Sequence, residues 1–343
     1  MPEPLKKIAL LFCSLSFIFF MFEVAARQAD ISPRPLARLN IHHYRLSANP
    51  RIRYEYQPGY SADEQPYDPD HRGFAINSAG FRDYERQIPK PENHKRIIFL
   101  GDSTTAGNGV AELSQVFTAK LEEKLNGSST DGRIEVLNLG VGGYQTLQEV
   151  ETLREKGLKY EPDLVYLVFC LNDFFMDADG GVYDRLKERA SGSPQIVRGG
   201  LHLLLKHSRL AFALYHRLGL ARTQHLSNRE YVKRVLGGRN NVEVGFELLS
   251  QLKQNHSLKV VILILPEFLN TIDRYKRYAD HEKVKQIARQ VGHLPVVDLV
   301  GEFAKKSKNL ADFSFDGCHL NEFGHKTLAE VLKPISERIL SAS

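Results

Sequence analysis

Arg96-Ile-Ile-Phe-Leu-Gly-Asp-Ser103 is the stretch on which the fold turns. Its apolar residues run without alternation, the pattern of a strand covered on both faces, and Gly101 ends the run. Outward from it the same unit recurs. Helical spacing over 116–125 leads to the strand Ile134-Glu-Val-Leu-Asn138 and the loop Gly140-Val-Gly-Gly143. A helix over 146–156 then precedes Leu164-Val-Tyr-Leu-Val-Phe169, the strongest strand signal in the chain. After an interruption come a helix over 242–254, the strand Val260-Val-Ile-Leu-Ile-Leu265 and a helix over 282–291. A short strand at Val296-Val297 and a helix over 322–340 close the chain. Strands and helices alternating at this spacing predict βαβ units around a parallel sheet.

In an open parallel sheet, ligands bind beyond the carboxyl ends of the strands. Gly101-Asp102-Ser103, Gly140-Val-Gly-Gly143 and Asn172-Asp173 all fall at such ends, and Asp316-Gly-Cys-His319 precedes the last helix. Acyl transfer needs these residue types together. Ser103 is a nucleophile once a base takes its proton, and His319 is the candidate base. Asp316 is placed to hold the imidazole tautomer. The Ser103 and Gly143 amides and the Asn172 side chain are candidate donors to an oxyanion. Each residue also has a plain reading. Ser103 suits a helix N-cap, Asp316 a turn, and Asn172 a cap. Gly143 suits a turn, with Gly140 or Gly142 as the donor instead. The order of the clusters and their positions at strand ends favour the chemical reading. Asp102 and Asp173 are expected to bond loop amides around the site, and His325 to serve the C-terminal helix.

Taken together, Gly101-Asp-Ser-Thr-Thr-Ala-Gly107, Asn138-Leu-Gly-Val-Gly-Gly143, Asn172-Asp173 and Asp316-Gly-Cys-His319-Leu-Asn resemble the four sequence blocks of the SGNH/GDSL hydrolases. The resemblance spans residue 96 to the C-terminus. It implies a flavodoxin-like three-layer α/β/α sandwich and a Ser103-His319-Asp316 serine esterase without cofactor or metal. It also implies oxyanion donors at Ser103, Gly143 and Asn172. One departure is Cys170, where the third block usually carries glycine. Asn77-Ser-Ala-Gly-Phe-Arg82-Asp further resembles a bacterial exported subgroup whose members often modify acyl groups on cell-surface polysaccharides.

The N-terminus adds a location. Lys6 and Lys7 precede an apolar run from Ile8 to Phe22, followed by Glu23 and Val24-Ala-Ala26. A retained signal anchor is expected, with a cleaved signal or a buried helix as alternatives. The early lysines place the N-terminus in the cytoplasm and the rest outside, in the periplasm of a Gram-negative cell. Residues 1–29 thus read as anchor, 30–95 as linker and irregular extension, and 96–343 as the hydrolase domain. A helical insertion is expected over about 177–240. It holds an apolar-basic stretch that reads as an amphipathic helix packed on the domain, with a lid or a membrane-surface helix as alternatives.

The formal charge of +5 comes without any Lys/Arg block, so nothing points to a nucleic-acid partner and none is expected. Three cysteines lacking CxxC spacing argue against a zinc site or a disulfide scaffold. Cys170 and Cys318 border the candidate site and are expected as free thiols, with a disulfide as the alternative. The expected activity is hydrolysis of O-acyl esters, chiefly acetyl, on cell-surface carbohydrate. O-acyl transfer to polysaccharide, a lipid-directed esterase and a non-catalytic glycan-binding protein are the competing readings.

Overall fold

The computed structural model describes residues 2–28, 41–64, 73–127, 132–174, 181–190, 208, 210, 231 and 233–342. The first part of the expected linker lies outside these residues. So does most of the expected insertion, including its apolar-basic stretch apart from Ser208 and Leu210. The chain divides into two units, Met1–Ile41 with Asp184–Ser227, and His42–Tyr183 with Asn228–Ser343.

The first unit contains α1 (Glu3–Gln28), whose most apolar window has a mean hydropathy of 2.3. Its 26 residues rise to about 39 Å, enough for the roughly 30 Å of a bilayer's hydrocarbon core. Among the described residues it is the one helix with the length and composition to cross a membrane. Near its end, Glu23 accepts hydrogen bonds from Arg27 Nε at 2.8 Å, Ser208 Oγ at 2.8 Å and the Leu210 amide at 3.0 Å.

The second unit opens with an antiparallel pair, β1 (Tyr44–Leu46) and β2 (Tyr54–Tyr56). The main layers follow as β3 (His94–Leu100), α2 (Ser103–Ala106), α3 (Phe117–Asn126), β4 (Arg133–Asn138), α4 (Thr146–Glu155) and β5 (Leu164–Phe169). After α5 (Val182–Ala190), most of which belongs to the first unit, this unit continues with α6 (Asn241–Asn255), β6 (Lys259–Ile264), α7 (Tyr278–Gly292), β7 (Val296–Asp298), α8 (Val300–Lys306) and α9 (Glu322–Ser341). The five long-range strands are all parallel, in the order β4-β3-β5-β6-β7. Helices flank the sheet in a three-layer α/β/α sandwich. On one face Phe99 stacks on Tyr166 at 4.8 Å and meets Phe117 of α3 edge-on at 5.0 Å. On the other, Phe169 meets Phe246 of α6 at 6.0 Å. Continuous burial of β3 and β5 explains their unbroken apolar runs.

The strand order reverses between β3 and β5, because β4 lies on one side of β3 and all later strands lie on the other. Loops leaving β3 and β5 diverge there and open the crevice that open sheets use for ligands. The outer edge of β4 is closed by side chains. Asn126 bonds both backbone groups of Ile134, at 2.9 and 2.8 Å. Glu122 accepts from the Val136 amide at 2.7 Å, and Arg86 donates to the Val136 carbonyl at 3.0 Å. An edge strand satisfied in this way offers no template for a further strand.

Candidate active site

Ser103 sits at the first position of α2, directly beyond β3. Gly101 makes the exit possible, since a Cβ there would lie 2.8 Å from Thr105 Cβ. Asp102 caps the helix by accepting the Thr104 amide at 2.8 Å, so Ser103 is turned towards the crevice. The other end of the turn is clamped by Arg82, which is 1% exposed. Its guanidinium donates to the carbonyls of Ala106, Gly107, Val110 and Ala111 at 3.2, 2.5, 2.5 and 2.8 Å. Burial lowers its pKa to about 10, which leaves the group charged at neutral pH. Asn77 shapes the turn before it, accepting the amides of Ala79 and Phe81 at 3.1 and 2.9 Å.

The loop before α9 brings the other two candidates. His319 Nε2 lies 2.9 Å from Ser103 Oγ, and His319 Nδ1 lies 2.8 Å from Asp316 Oδ2. Asp316 Oδ1 also accepts the amides of Cys318 and His319, at 3.0 and 2.9 Å. The His319 hydrogen bond, followed by its charge and these two amides, holds the Asp316 carboxyl well below the usual carboxylate range. An ionised Asp316 can only accept, so Nδ1 carries the imidazole proton and Nε2 presents its lone pair to Ser103. Ser314 Oγ binds the loop to itself, donating to the His319 carbonyl at 2.7 Å and accepting the Gly317 amide at 2.9 Å. Gly317, at φ +90°, packs its Cα against Leu269. Asn321 then caps α9 through the Gly324 amide at 2.9 Å.

The glycine loop after β4 resolves which amide is available. Gly140 donates to Asn138 Oδ1 at 3.0 Å and Gly142 to the Tyr56 hydroxyl at 2.9 Å. Val141 donates to the Gly101 carbonyl at 3.0 Å and Tyr144 to the Val141 carbonyl at 3.1 Å. Among the described residues, Gly143 is the loop amide left without an acceptor, and its φ of +77° is one that glycine adopts freely. The loop rests on tyrosines from β1 and β2. The hydroxyls of Tyr44 and Tyr54 donate to the Gly142 carbonyl at 3.2 and 3.1 Å. Burial pushes the Tyr56 hydroxyl up to about 12, so it remains protonated.

Asn172 follows β5 and donates one amide hydrogen to Asp102 Oδ2 at 2.9 Å, leaving its second hydrogen for another acceptor. Cys170 donates its thiol to Asp102 Oδ1 at 3.5 Å. Cys170 and Cys318 are both free thiols. Burial, reinforced by Asp102, raises both, Cys318 to about 12. His325 is fully buried, accepts the Phe117 amide at 3.3 Å and is held near 3 by burial, away from Ser103 chemistry.

A cavity of about 230 Å³ opens beside this cluster, walled by Cys170, Leu171, Asn172, Leu265, Leu269 and Cys318 among others. A larger space of about 1030 Å³ lies between residues 84–94, α3 and β4. Its lining includes neither Asn172 nor Asp316, and its Arg86 is already paired with Asp83 and Glu122. Of the two, the smaller borders the candidate residues, through Asn172, Asp316 and Cys318. Sequence reasoning missed Tyr44, Tyr54 and Tyr56, which carry no motif. For Arg82 the signal was its own Asn77-to-Asp83 stretch, whose purpose only the fold reveals.

The GDSL-like Lipase/Acylhydrolase family model matches residues 99–327. No curated protein matches the chain. Among solved structures, the acetyl xylan esterase AlAXEase is 18% identical, with 71% of this chain and 98% of that one covered and a TM-score of 0.43. An acetylxylan esterase of Geobacillus stearothermophilus is 18% identical, with 75% and 98% covered and a TM-score of 0.43. A lipase/acylhydrolase of Enterococcus faecalis is 19% identical, with 71% and 96% covered and a TM-score of 0.42.

Proposed function

This chain belongs to the GDSL-like lipase/acylhydrolase family and is an ester-bond hydrolase, and from that premise we propose that it cleaves O-acetyl esters of cell-surface carbohydrate through an acyl-enzyme on Ser103. The observation that carries this reading is the continuous relay from Ser103 Oγ to His319 Nε2 at 2.9 Å and from His319 Nδ1 to Asp316 at 2.8 Å. Ser103 attacks the ester carbonyl as His319 takes its proton, and Asp316 stabilises the imidazolium. The oxyanion meets the amides of Ser103 and Gly143 and the second amide hydrogen of Asn172. His319 returns the proton to the leaving sugar hydroxyl. Water then repeats the sequence on the acyl-enzyme and regenerates Ser103.

The neighbouring cavity supports a short acyl group, since 230 Å³ falls below the roughly 300–1,000 Å³ of pockets that enclose drug-sized ligands. In this reading α1 holds the enzyme in the membrane with its hydrolase unit on the extracytoplasmic side, which is periplasmic in a Gram-negative cell. A second reading rests on Phe315 and Leu269, 58% and 56% exposed beside the Asp316 loop, which favour a longer acyl chain from a lipid.

Detergent-solubilised full chain and its Ser103→Ala variant, assayed on nitrophenyl acetate, butyrate and octanoate, test both. Serine-dependent turnover that is fastest on acetate supports the proposal, and preference for octanoate supports the lipid reading. Folded protein without serine-dependent turnover overturns both. Product analysis with an acylated glycan then separates release of free acetate from transfer to an acceptor sugar.

A further inference from the structure

Behind Asn172 lie two carboxyl groups that the mechanism above leaves unused. Glu149 on α4 is 1% exposed, and neither of its side-chain oxygens has a hydrogen-bond partner among the described residues. Asp173, also 1% exposed, accepts the Thr146 hydroxyl on Oδ2 at 2.9 Å but has no partner on Oδ1. Each packed element contributes a neighbour. The turn Leu171–Phe174 carries Asp173 itself, and α2 is preceded by Asp102. Helix α6 supplies Asn241, whose Oδ1 accepts the Leu147 amide at 3.2 Å while its amide donates to the Asp173 carbonyl at 3.5 Å. The charged groups that act on Glu149 are Asp173 and Asp102, and the one acting on Asp173 is Asp102. All are acids, and among the described residues no cation pairs with either carboxyl.

Two buried, mutually repelling carboxylates that have, among the described residues, no counter-charge and only the Thr146 hydroxyl as a donor cannot both stay ionised, because desolvation alone costs several kcal/mol per ion. Burial first, then the neighbouring acids, pushes both groups well above the ordinary carboxylate range. A proton kept on the pair meets the unsatisfied oxygens and removes the repulsion. Asp102 is occupied differently, accepting from the Thr104 amide, the Cys170 thiol and Asn172.

We propose that Glu149 and Asp173 hold a proton between them and act as a positioning pair for Asn172, keeping the turn Leu171–Phe174 seated so that one Asn172 hydrogen stays on Asp102 and the other faces the oxyanion. This rests on the esterase reading given above. Neither residue touches substrate; both act through Asn172. Loss of the proton at alkaline pH places a further negative charge beneath the oxyanion hole. That charge repels the developing oxyanion and loosens the turn, so turnover falls.

The test uses the full chain and its Glu149→Gln variant, which keeps size and hydrogen-bonding capacity without a titrating proton. Infrared spectroscopy of the resting enzyme at pH 7 is expected to show a protonated-carboxyl band that Glu149→Gln or Asp173→Asn removes. Profiles of kcat and KM against pH on nitrophenyl acetate are expected to show an alkaline fall in kcat for the native chain. That fall is lost in Glu149→Gln, with KM unchanged. Absence of the band at pH 7, or an identical alkaline limb in Glu149→Gln, overturns the proposal. If no serine-dependent turnover exists, the esterase reading fails, and the infrared band alone still decides whether the pair is protonated.

Discussion

The two loops that meet at Ser103 are built on different principles. The loop carrying Asp316 and His319 is bonded largely within six residues, where Ser314 and Asp316 accept the amides of Gly317, Cys318 and His319, and the Phe268 amide ties it to the rest of the unit through the Gly317 carbonyl at 2.8 Å. The Gly140–Gly143 segment is held from far away: Tyr56, Tyr54 and Tyr44 reach its backbone across sequence separations of 86, 88 and 98 residues. In the first loop the bonds that orient His319 and Asp316 to each other are local. The second has its geometry only when β1 and β2 dock against it. The His319–Asp316 pairing is thus mostly local, and the conformation of the Gly140–Gly143 loop is a property of the fold.

Substitutions break this contrast in order of size. Asp316→Asn removes the acceptor that sets the His319 tautomer, and kcat on nitrophenyl acetate is expected to fall by about 10⁴-fold, as when the equivalent carboxylate of a serine protease is replaced. The melting curve should move little, because the loop keeps its Ser314 bonds and its tie to the Phe268 amide. Arg82→Ala acts in the opposite way. It leaves four carbonyls around the nucleophile turn without their donor, and urea denaturation should show a loss of about 3 kcal/mol. Unchanged stability would mean that the turn holds without its clamp.

Tyr56→Phe is a finer probe of the remote loop. Removing the hydroxyl leaves the Gly142 amide without its acceptor, at an expected cost of about tenfold in kcat/KM, or 1.4 kcal/mol. A fall confined to KM would place Tyr56 in substrate binding and not in seating the oxyanion loop. The smallest effect concerns stability against pH. Glu149 binds its proton more tightly folded than unfolded, so its contribution is complete below the ordinary glutamate pKa of 4.5 and is lost as pH rises from there towards the raised native value. Glu149→Gln should therefore flatten the decline in stability above that pH. Parallel curves for the two proteins, measured by denaturation at pH 5 and pH 8, would contradict this.

Most of the hydrolase unit was legible because its signals are short-range. Strands β3 and β5 read as continuous apolar runs, and their placement in the sheet interior is why. Helix α9 begins at Asn321, whose side chain caps it, so its start was visible in the residues alone. The pair β1 and β2 was not legible. Its three-residue strands carry too little pattern to read, and the tyrosines that matter there resemble any aromatic surface until their hydroxyls meet Gly142. Glu149 was equally silent: an acid in an amphipathic helix reads as solvent-facing, and here its helix is covered on that side by the turn carrying Asp173 and by α6.

By itself, the sequence determined the α/β alternation, the turn that presents Ser103 and the local bonds of the Asp316–His319 loop. Each depends on hydrogen bonds and periodicities spanning a few residues, which form with the local chain. Only the tertiary structure decided that Gly143 is the uncommitted amide, that Asp102 orients Asn172 and that Arg82 closes the nucleophile turn. Those outcomes depend on which donors and acceptors remain unspent after distant segments pack, and that accounting exists only in the folded molecule.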